Sequence, residues 1–236
     1  MEYDHFQSIL FGTCTSEEVI QAIDEGRFNV NEKNPHGLTP LMMSVGSTRR
    51  MDIAKILLER GADPNEKDMF SRPVLFHALE IHQNEDMMEL LLQNGADVNA
   101  RNVTQSTVIF FAKEKRILSC LLSYGADATI ENQFGHTALD HARTICSDTN
   151  QKEVIDPLIE HCATLRFDKQ RLLLHRVLRL DSYSWCKDIE KIVNVNPTAM
   201  IEEDPVTGLL PFLLAAVRKS DLDSGFELMR RTPTYL

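Results

Sequence analysis

The sequence predicts an all-α stack of helix–turn–helix repeats, and three observations carry that prediction. The tripeptide Gly-Ala-Asp occurs at Gly61-Ala62-Asp63, Gly95-Ala96-Asp97 and Gly125-Ala126-Asp127, in steps of 34 and 30 residues. Each copy follows a leucine pair by three positions (Leu57-Leu58, Leu91-Leu92, Leu121-Leu122) and precedes a short extended segment. A second motif keeps register with the first. Gly37-Leu38-Thr39-Pro40-Leu41 opens one unit and Gly135-His136-Thr137-Ala138-Leu139 opens another. Ser71-Arg72-Pro73-Val74-Leu75 and Gln105-Ser106-Thr107-Val108-Ile109 hold the equivalent places between them. Recurrence of two motifs at one period is the mark of a repeat architecture.

Within each unit the residue types suit their places. Thr39 and Thr137 are helix caps, because a hydroxyl can bond an orphan backbone N–H, and Pro40 fits a first turn. From Met51 the apolar residues Ile53, Ala54, Ile56, Leu57 and Leu58 fall on one broad helical stripe. Glu85 to Gln93 does the same with Met87, Met88, Leu91 and Leu92. Gly61, Gly95 and Gly125 stand where a helix ends in the left-handed region, cheap only for glycine. A fainter copy lies upstream from Gly26 to Lys33. Each unit has apolar faces that only a neighbour can cover, so stacking is compulsory.

These residues resemble the ankyrin family, whose unit reads roughly G-x-T-P-L-H-x-A-A, a helix, then L-L-x-x-G-A-D-V-N-A, with a period of about 33 residues. The resemblance implies an ankyrin-repeat solenoid of stacked helical pairs with short hairpin loops. Units are expected at 1–33 (an N-terminal capping unit), 34–67, 68–101, 102–131 and 132–163. The family's histidine after leucine is replaced by Met42, Phe76, Phe110 and Asp140. The hydrogen bonds that it makes between repeats should therefore be missing. Unit 102–131 is short, and the expected place is the turn between its helices near Lys113–Arg116. Units 34–67 and 68–101 are expected to carry about two extra residues in that turn.

The match weakens past residue 164. Gly208-Leu209-Leu210-Pro211-Phe212 parallels Gly37-Leu38-Thr39-Pro40-Leu41 in order and spacing. Leu172–Leu178 with Asp188–Val193, and Pro211–Ala216 with Asp221–Arg231, read as two helical pairs. Residues 164–236 are therefore expected to form two divergent ankyrin-like units, the alternative being an unrelated helical domain.

Composition narrows the function. The net charge of −10 works against nucleic acid and anionic membranes, both of which call for a cationic surface. Five scattered cysteines without a CxxC pair suit a reduced compartment. The N-terminus lacks an apolar signal core, and the apolar run Leu209–Val217 is too short to span a bilayer. An intracellular chain, cytoplasmic or nuclear, is expected. No phosphate loop, zinc-spaced Cys/His cluster or nucleophile motif is present. His136, His141 and Cys146 do not share a helical face, and His161-Cys162 are adjacent residues pointing apart. Neither cofactor nor metal is expected, and the chain reads as a non-catalytic monomer.

The resemblance places partner contacts at the hairpin tips and on the inner face of each first helix. That selects Met69, Phe70, Arg72, Ile81, Phe134, His136, His36 and Leu38. It also points to Pro35, Ser47, Glu80, Val103, Thr104, Ser106, Lys115, Gln133 and Ile145. Met69, Phe70, Ile81 and Phe134 are the expected anchors, since exposed apolar groups dominate interface energy. Phe70 and Phe134 have a second reading, in which they fold back on the adjacent hairpin. Lys33, Lys67 and Arg101 recur in 34-residue steps; a structural role is favoured over a ridge for an acidic ligand. Asn31, Asn65 and Asn99 hold the position that asparaginyl hydroxylases modify in this family, and Asn99 sits in the closest match. The expected function is a scaffold or adaptor for a protein partner. The alternative is the recognition arm of a larger enzyme or ubiquitin-ligase assembly.

Overall fold

The computed structural model describes residues 15–27, 29–46, 50–82, 84–145, 151–163, 165, 172–178, 189–217 and 230. All elements among them are helical. The chain divides into two compact units, Met1–Ile145 and Cys146–Leu236. This division falls inside the segment 132–163 that the sequence motifs assign to one repeat.

In the first unit the elements run α1 (Ser16–Asp24), α2 (Pro40–Gly46), α3 (Met51–Glu59), α4 (Val74–His82) and α5 (Glu85–Gln93), then a 3₁₀ turn (Val108–Phe111), α6 (Lys115–Ser123) and α7 (Ala138–Ile145). First helices form one row: α2 packs on α4, and the 3₁₀ turn lies against α4 and α7. Second helices form another, α1 packing on α3 and α5 on α6. Within repeats, α2 packs on α3 and α4 on α5. The leucine pairs show how the rows close. Leu57, Leu91 and Leu121 are all fully buried, whereas Leu58 and Leu122 are half-buried. Burying one such side chain stabilises by about 1.5–3 kcal/mol.

Local chemistry sets the helix ends. Thr15 caps α1 reciprocally, its hydroxyl accepting the Glu18 N–H while the Glu18 carboxylate accepts the Thr15 N–H. The Thr39 hydroxyl accepts the Met42 N–H at 3.3 Å. Thr137 accepts the Asp140 N–H at 3.4 Å, and the Asp140 carboxylate accepts the Thr137 N–H and hydroxyl. Gly61, Gly95 and Gly125 end their helices at φ of 85, 86 and 84°. The following N–H of Ala62, Ala96 and Ala126 returns to the carbonyl of Leu57, Leu91 and Leu121.

Two expectations need correction. The short repeat does not lose its residues from the inter-helix turn. Lys115 and Arg116 already belong to α6, and it is the first helix that shrinks to the 3₁₀ turn Val108–Phe111. Thr107 precedes Leu121 by 14 residues, whereas Thr39 precedes Leu57 and Pro73 precedes Leu91 by 18. Four residues are about one α-helical turn, so the deletion removes one turn of helix. Nor is the inter-repeat histidine bond missing. His141 lies 3.0 Å from the Phe110 carbonyl of the preceding repeat through Nδ1, one position later than the family motif places its histidine. The extra turn residues expected in the two preceding repeats fall largely at 47–49 and 83, outside the described residues.

The second unit contains α8 (Gln151–Cys162), α9 (Leu173–Val177), α10 (Glu190–Val195), a 3₁₀ turn (Pro197–Met200) and α11 (Pro211–Val217). Its helices again form two rows, α8 on α10 and α9 on α11. The loop before α11 is built like the hairpins of the first unit. The Asp204 N–H donates to the Leu209 carbonyl, the Asp204 carboxylate accepts the Val206 N–H, and Gly208 has φ of 68°. The expected helix over Asp221–Arg231 lies outside the described residues apart from Arg230, which is helical.

Candidate partner-binding surface

Four hairpin tips in the first unit share one device that the motif comparison passed over. Asn34, Asp68, Asn102 and Asn132 each begin a tip, and each side-chain oxygen accepts the backbone N–H two and four residues on. The pairs are His36 and Leu38, Phe70 and Arg72, Thr104 and Ser106, and Phe134 and His136, at 2.8–3.1 Å. A short polar side chain folding onto its own backbone fixes the tip without help from a strand partner. The signal was present in the sequence as an Asn or Asp every 30–34 residues.

Neighbouring tips are stitched together. The Val103 N–H donates to the Phe70 carbonyl at 3.2 Å, and the Gln133 N–H to the Thr104 carbonyl at 3.0 Å. A second seam runs behind the tips. Asn31, Asn65 and Asn99 each donate an amide N–H to the carbonyl of Gly61, Gly95 and Gly125. Each also accepts the N–H of Asp63, Asp97 and Asp127 at 2.8 Å. Thr129 stands where a fourth asparagine would fall, and its hydroxyl turns back to Asp127. Three asparagines thus staple four consecutive repeats.

On this rigid edge the apolar side chains stand in water. Met69 is 63% exposed, Phe70 51%, Val103 52% and Phe134 67%. Phe70 and Phe134 therefore keep more than half of their surface in water. Val103, a tip residue that was not among the expected anchors, joins them. His36 and His136 are also exposed, and Leu38 is half-buried. The side chain of Ile81 lies outside the described residues, as do those of Ser47 and Ile145. Lys115 is exposed on a second helix, α6, so it belongs to the outer row rather than the inner one.

Arg72 is held rather than free. Its guanidinium bonds Asp68 at 2.8 Å and also Glu80, and lies 5.2 Å from the Phe70 ring centre. Beneath it, the buried His77 ring has Nε2 3.3 Å from Asp68 and Nδ1 3.8 Å from Glu80. Nε2 lacks a hydrogen bond of good geometry. Burial, reinforced by the nearby Arg72 charge, pushes the His77 pKa down and outweighs the pull of Glu80 and Asp68. Burial alone would raise Asp68, but the N–H groups of Arg72 and Phe70 and the Arg72 guanidinium hold it below the ordinary carboxylate value. The neutral ring is the favoured form at neutral pH, and the network serves to brace the tip that carries Met69 and Phe70. Sequence inspection did not connect Asp68, Arg72, His77 and Glu80, because their meeting needs both the tip and α4 in place.

An aromatic cluster fills the space beside the missing helical turn. Phe76 and Phe111 have ring centres 5.7 Å apart, Phe111 and His141 5.7 Å, and Phe110 and His141 5.8 Å. His141 therefore acts as a packing and bonding residue between repeats. No group of three or more His, Cys, Asp or Glu side chains arranged to hold a metal occurs among the described residues. None of the described helices is long and apolar enough to cross a membrane.

Paired helical rows, glycine-ended second helices and stitched tips define a repeat protein that presents an extended edge. The ankyrin repeat family matches at residues 36–69 and 74–103, two consecutive units of the stack. These two segments are ankyrin repeats, set in an all-α stack of ankyrin type. The chain is similar to the putative ankyrin repeat protein L86 of Acanthamoeba polyphaga mimivirus, 28% identical over 177 residues. That match covers 67% of this chain but 26% of the relative, so the chain spans about a quarter of that protein's length. Ankyrin repeats generally mediate contacts between proteins, and the family is generally non-catalytic.

Proposed function

We propose that this chain is a non-catalytic scaffold or adaptor that docks a partner protein on its hairpin tips and the adjoining face of its first helices. The observation that carries this reading is the line of exposed apolar side chains on three successive tips: Met69, Phe70, Val103 and Phe134. Tip positions in water are otherwise polar, and large apolar groups on a braced backbone lose little freedom on binding. Arg72, His36, His136, Leu38 and Ile81 complete the proposed contact set. The repeat boundaries 1–33, 34–67, 68–101, 102–131 and 132–163, with divergent units over 164–236, belong to the same proposal. So do action as a monomer, independence of any cofactor and an intracellular location.

The test is capture of partners from a cell extract by the intact chain and by a Phe70→Ala/Phe134→Ala variant. Both side chains are more than half exposed, so the variant should fold normally. Loss of two anchors is expected to weaken binding by roughly thirtyfold or more, the equivalent of one hot spot of about 2 kcal/mol. Unchanged affinity with an unchanged unfolding curve removes both residues from the interface. Asn99 as a hydroxylation site is a further part of the proposal. Its side chain is engaged at both ends, to Gly125 and Asp127, so modification requires local opening of the seam. A tryptic peptide from cellular material without the added mass of one oxygen on Asn99 speaks against it.

A further inference from the structure

The three register-equivalent cations Lys33, Lys67 and Arg101 separate into two kinds. Lys33 is spent inside the stack, its ammonium 2.6 Å from the Glu66 carboxylate and 3.0 Å from the Lys67 carbonyl. Lys67 and Arg101 are exposed, and neither makes an ion pair or side-chain hydrogen bond with any described residue. Each stands one position before the residue that fixes its tip, Asp68 or Asn102. Each therefore lies two positions before an exposed apolar group, Met69 or Val103.

The acidic side chains of the same hairpins bond other groups and form no ion pair with Lys67 or Arg101. Glu66 pairs with Lys33, while Asp63 and Asp97 accept the N–H of Asn65 and Asn99. Arg72 is held between Asp68 and Glu80. In the fourth hairpin the equivalent position is Glu131, so the cationic pair ends at the third repeat. A chain with net charge −10 thus keeps, beside its exposed apolar tips, two cations without an ion pair to any described residue.

From this arrangement we infer that the partner segment docked on the tips is acidic and apolar, a stretch of polypeptide in which carboxylates alternate with large apolar side chains. The inference rests on the tip-docking proposal and names the chemistry of its occupant. Lys67 and Arg101 receive the carboxylates, and Met69, Phe70, Val103 and Phe134 cover the apolar groups. Opposite charge at a rim contributes chiefly selectivity and association rate, which is what a shared apolar edge lacks. A polyanion such as nucleic acid is the poorer fit, because phosphate binding draws on many cations and the net charge of −10 opposes it.

The experiment is selection of a random-peptide display library on the intact chain. Enriched peptides are then labelled and titrated by fluorescence anisotropy against wild type, Lys67→Glu/Arg101→Glu and Phe70→Ala/Phe134→Ala, with a labelled single-stranded oligonucleotide in parallel. The expected result is enrichment of Asp or Glu interleaved with Leu, Phe or Met. Affinity should fall with rising salt and drop roughly tenfold or more on charge reversal. Peptides that need Phe70 and Phe134 yet ignore the charge reversal overturn the inference and leave tip docking standing. Peptides indifferent to both variants overturn both. No enrichment, or an oligonucleotide that outcompetes the peptides, overturns the acidic–apolar assignment alone.

Discussion

Leu91→Ala is expected to lower the stability of the first unit by about 2–5 kcal/mol, the range for removing a fully buried leucine from a packed interior. Leu91 is 0% exposed on α5, and its carbonyl also receives the Ala96 N–H that closes the helix end. In a stack, each repeat leans on its neighbours, so a cavity in one weakens the interfaces on both sides. Denaturant unfolding followed by circular dichroism measures the loss. The internal comparison is Leu122→Ala: that side chain is half-buried, and its truncation is expected to have the smaller effect. A Leu91→Ala loss under about 1 kcal/mol, the size of an ordinary substitution, would contradict the packing described here.

Gly37→Ala is the second large expected effect, at about 2–4 kcal/mol. Two costs add. The residue sits at φ of 76°, where a side chain costs about 1–2 kcal/mol. A methyl there would also stand 2.8 Å from the Met69 backbone nitrogen and 3.3 Å from the Asp68 carbonyl carbon, both on the next hairpin. Backbone cannot rotate away, so the tips must separate, an overpacking cost of about 1–3 kcal/mol. The smaller entropy of an unfolded alanine returns only about 0.4–1 kcal/mol. Gly135 is the control. It has φ of 74°, but the nearest atom to an added methyl is a Glu131 carboxylate oxygen at 4.0 Å. Gly135→Ala is expected to cost only the conformational part. Equal unfolding midpoints for the two variants would remove close approach of the tips as the reason for Gly37. Ser71 and Gln105, at φ of 57 and 61° in the equivalent places, show that the conformation alone is survivable.

The elements that the sequence determined are those whose cause is local. Leucine pairs three positions before a glycine, Thr39 and Thr137 as caps, and Pro40 in a first turn each act within a few residues, and all appear as read. The exposed edge proposed for a partner was legible in position alone: Met69, Phe70 and Phe134 could be placed on tips because tip position follows from the repeat period. Their exposure could not, since a phenylalanine on a tip is free to lie back or stand out. That choice is made by the braces around it, Asp68, Arg72 and the neighbouring tip.

What only the tertiary structure decided lies between repeats. The four residues missing from repeat 102–131 had to come from somewhere. Removing one turn from the first helix leaves Ile117, Leu118 and Leu121 buried in the second, whereas deletion from α6 would have broken its leucine register. His141 takes up an inter-repeat bond from the position beside the family's own histidine, because the shortened neighbour presents the Phe110 carbonyl there. The Asn31, Asn65 and Asn99 staples, and the division of Lys33 from Lys67 and Arg101, likewise depend on the distance to the next hairpin. A periodic sequence states what each unit is made of. Which side chains are spent on the neighbouring unit and which remain for a partner is fixed when the units meet, because only then is each donor or apolar face either satisfied or left in water.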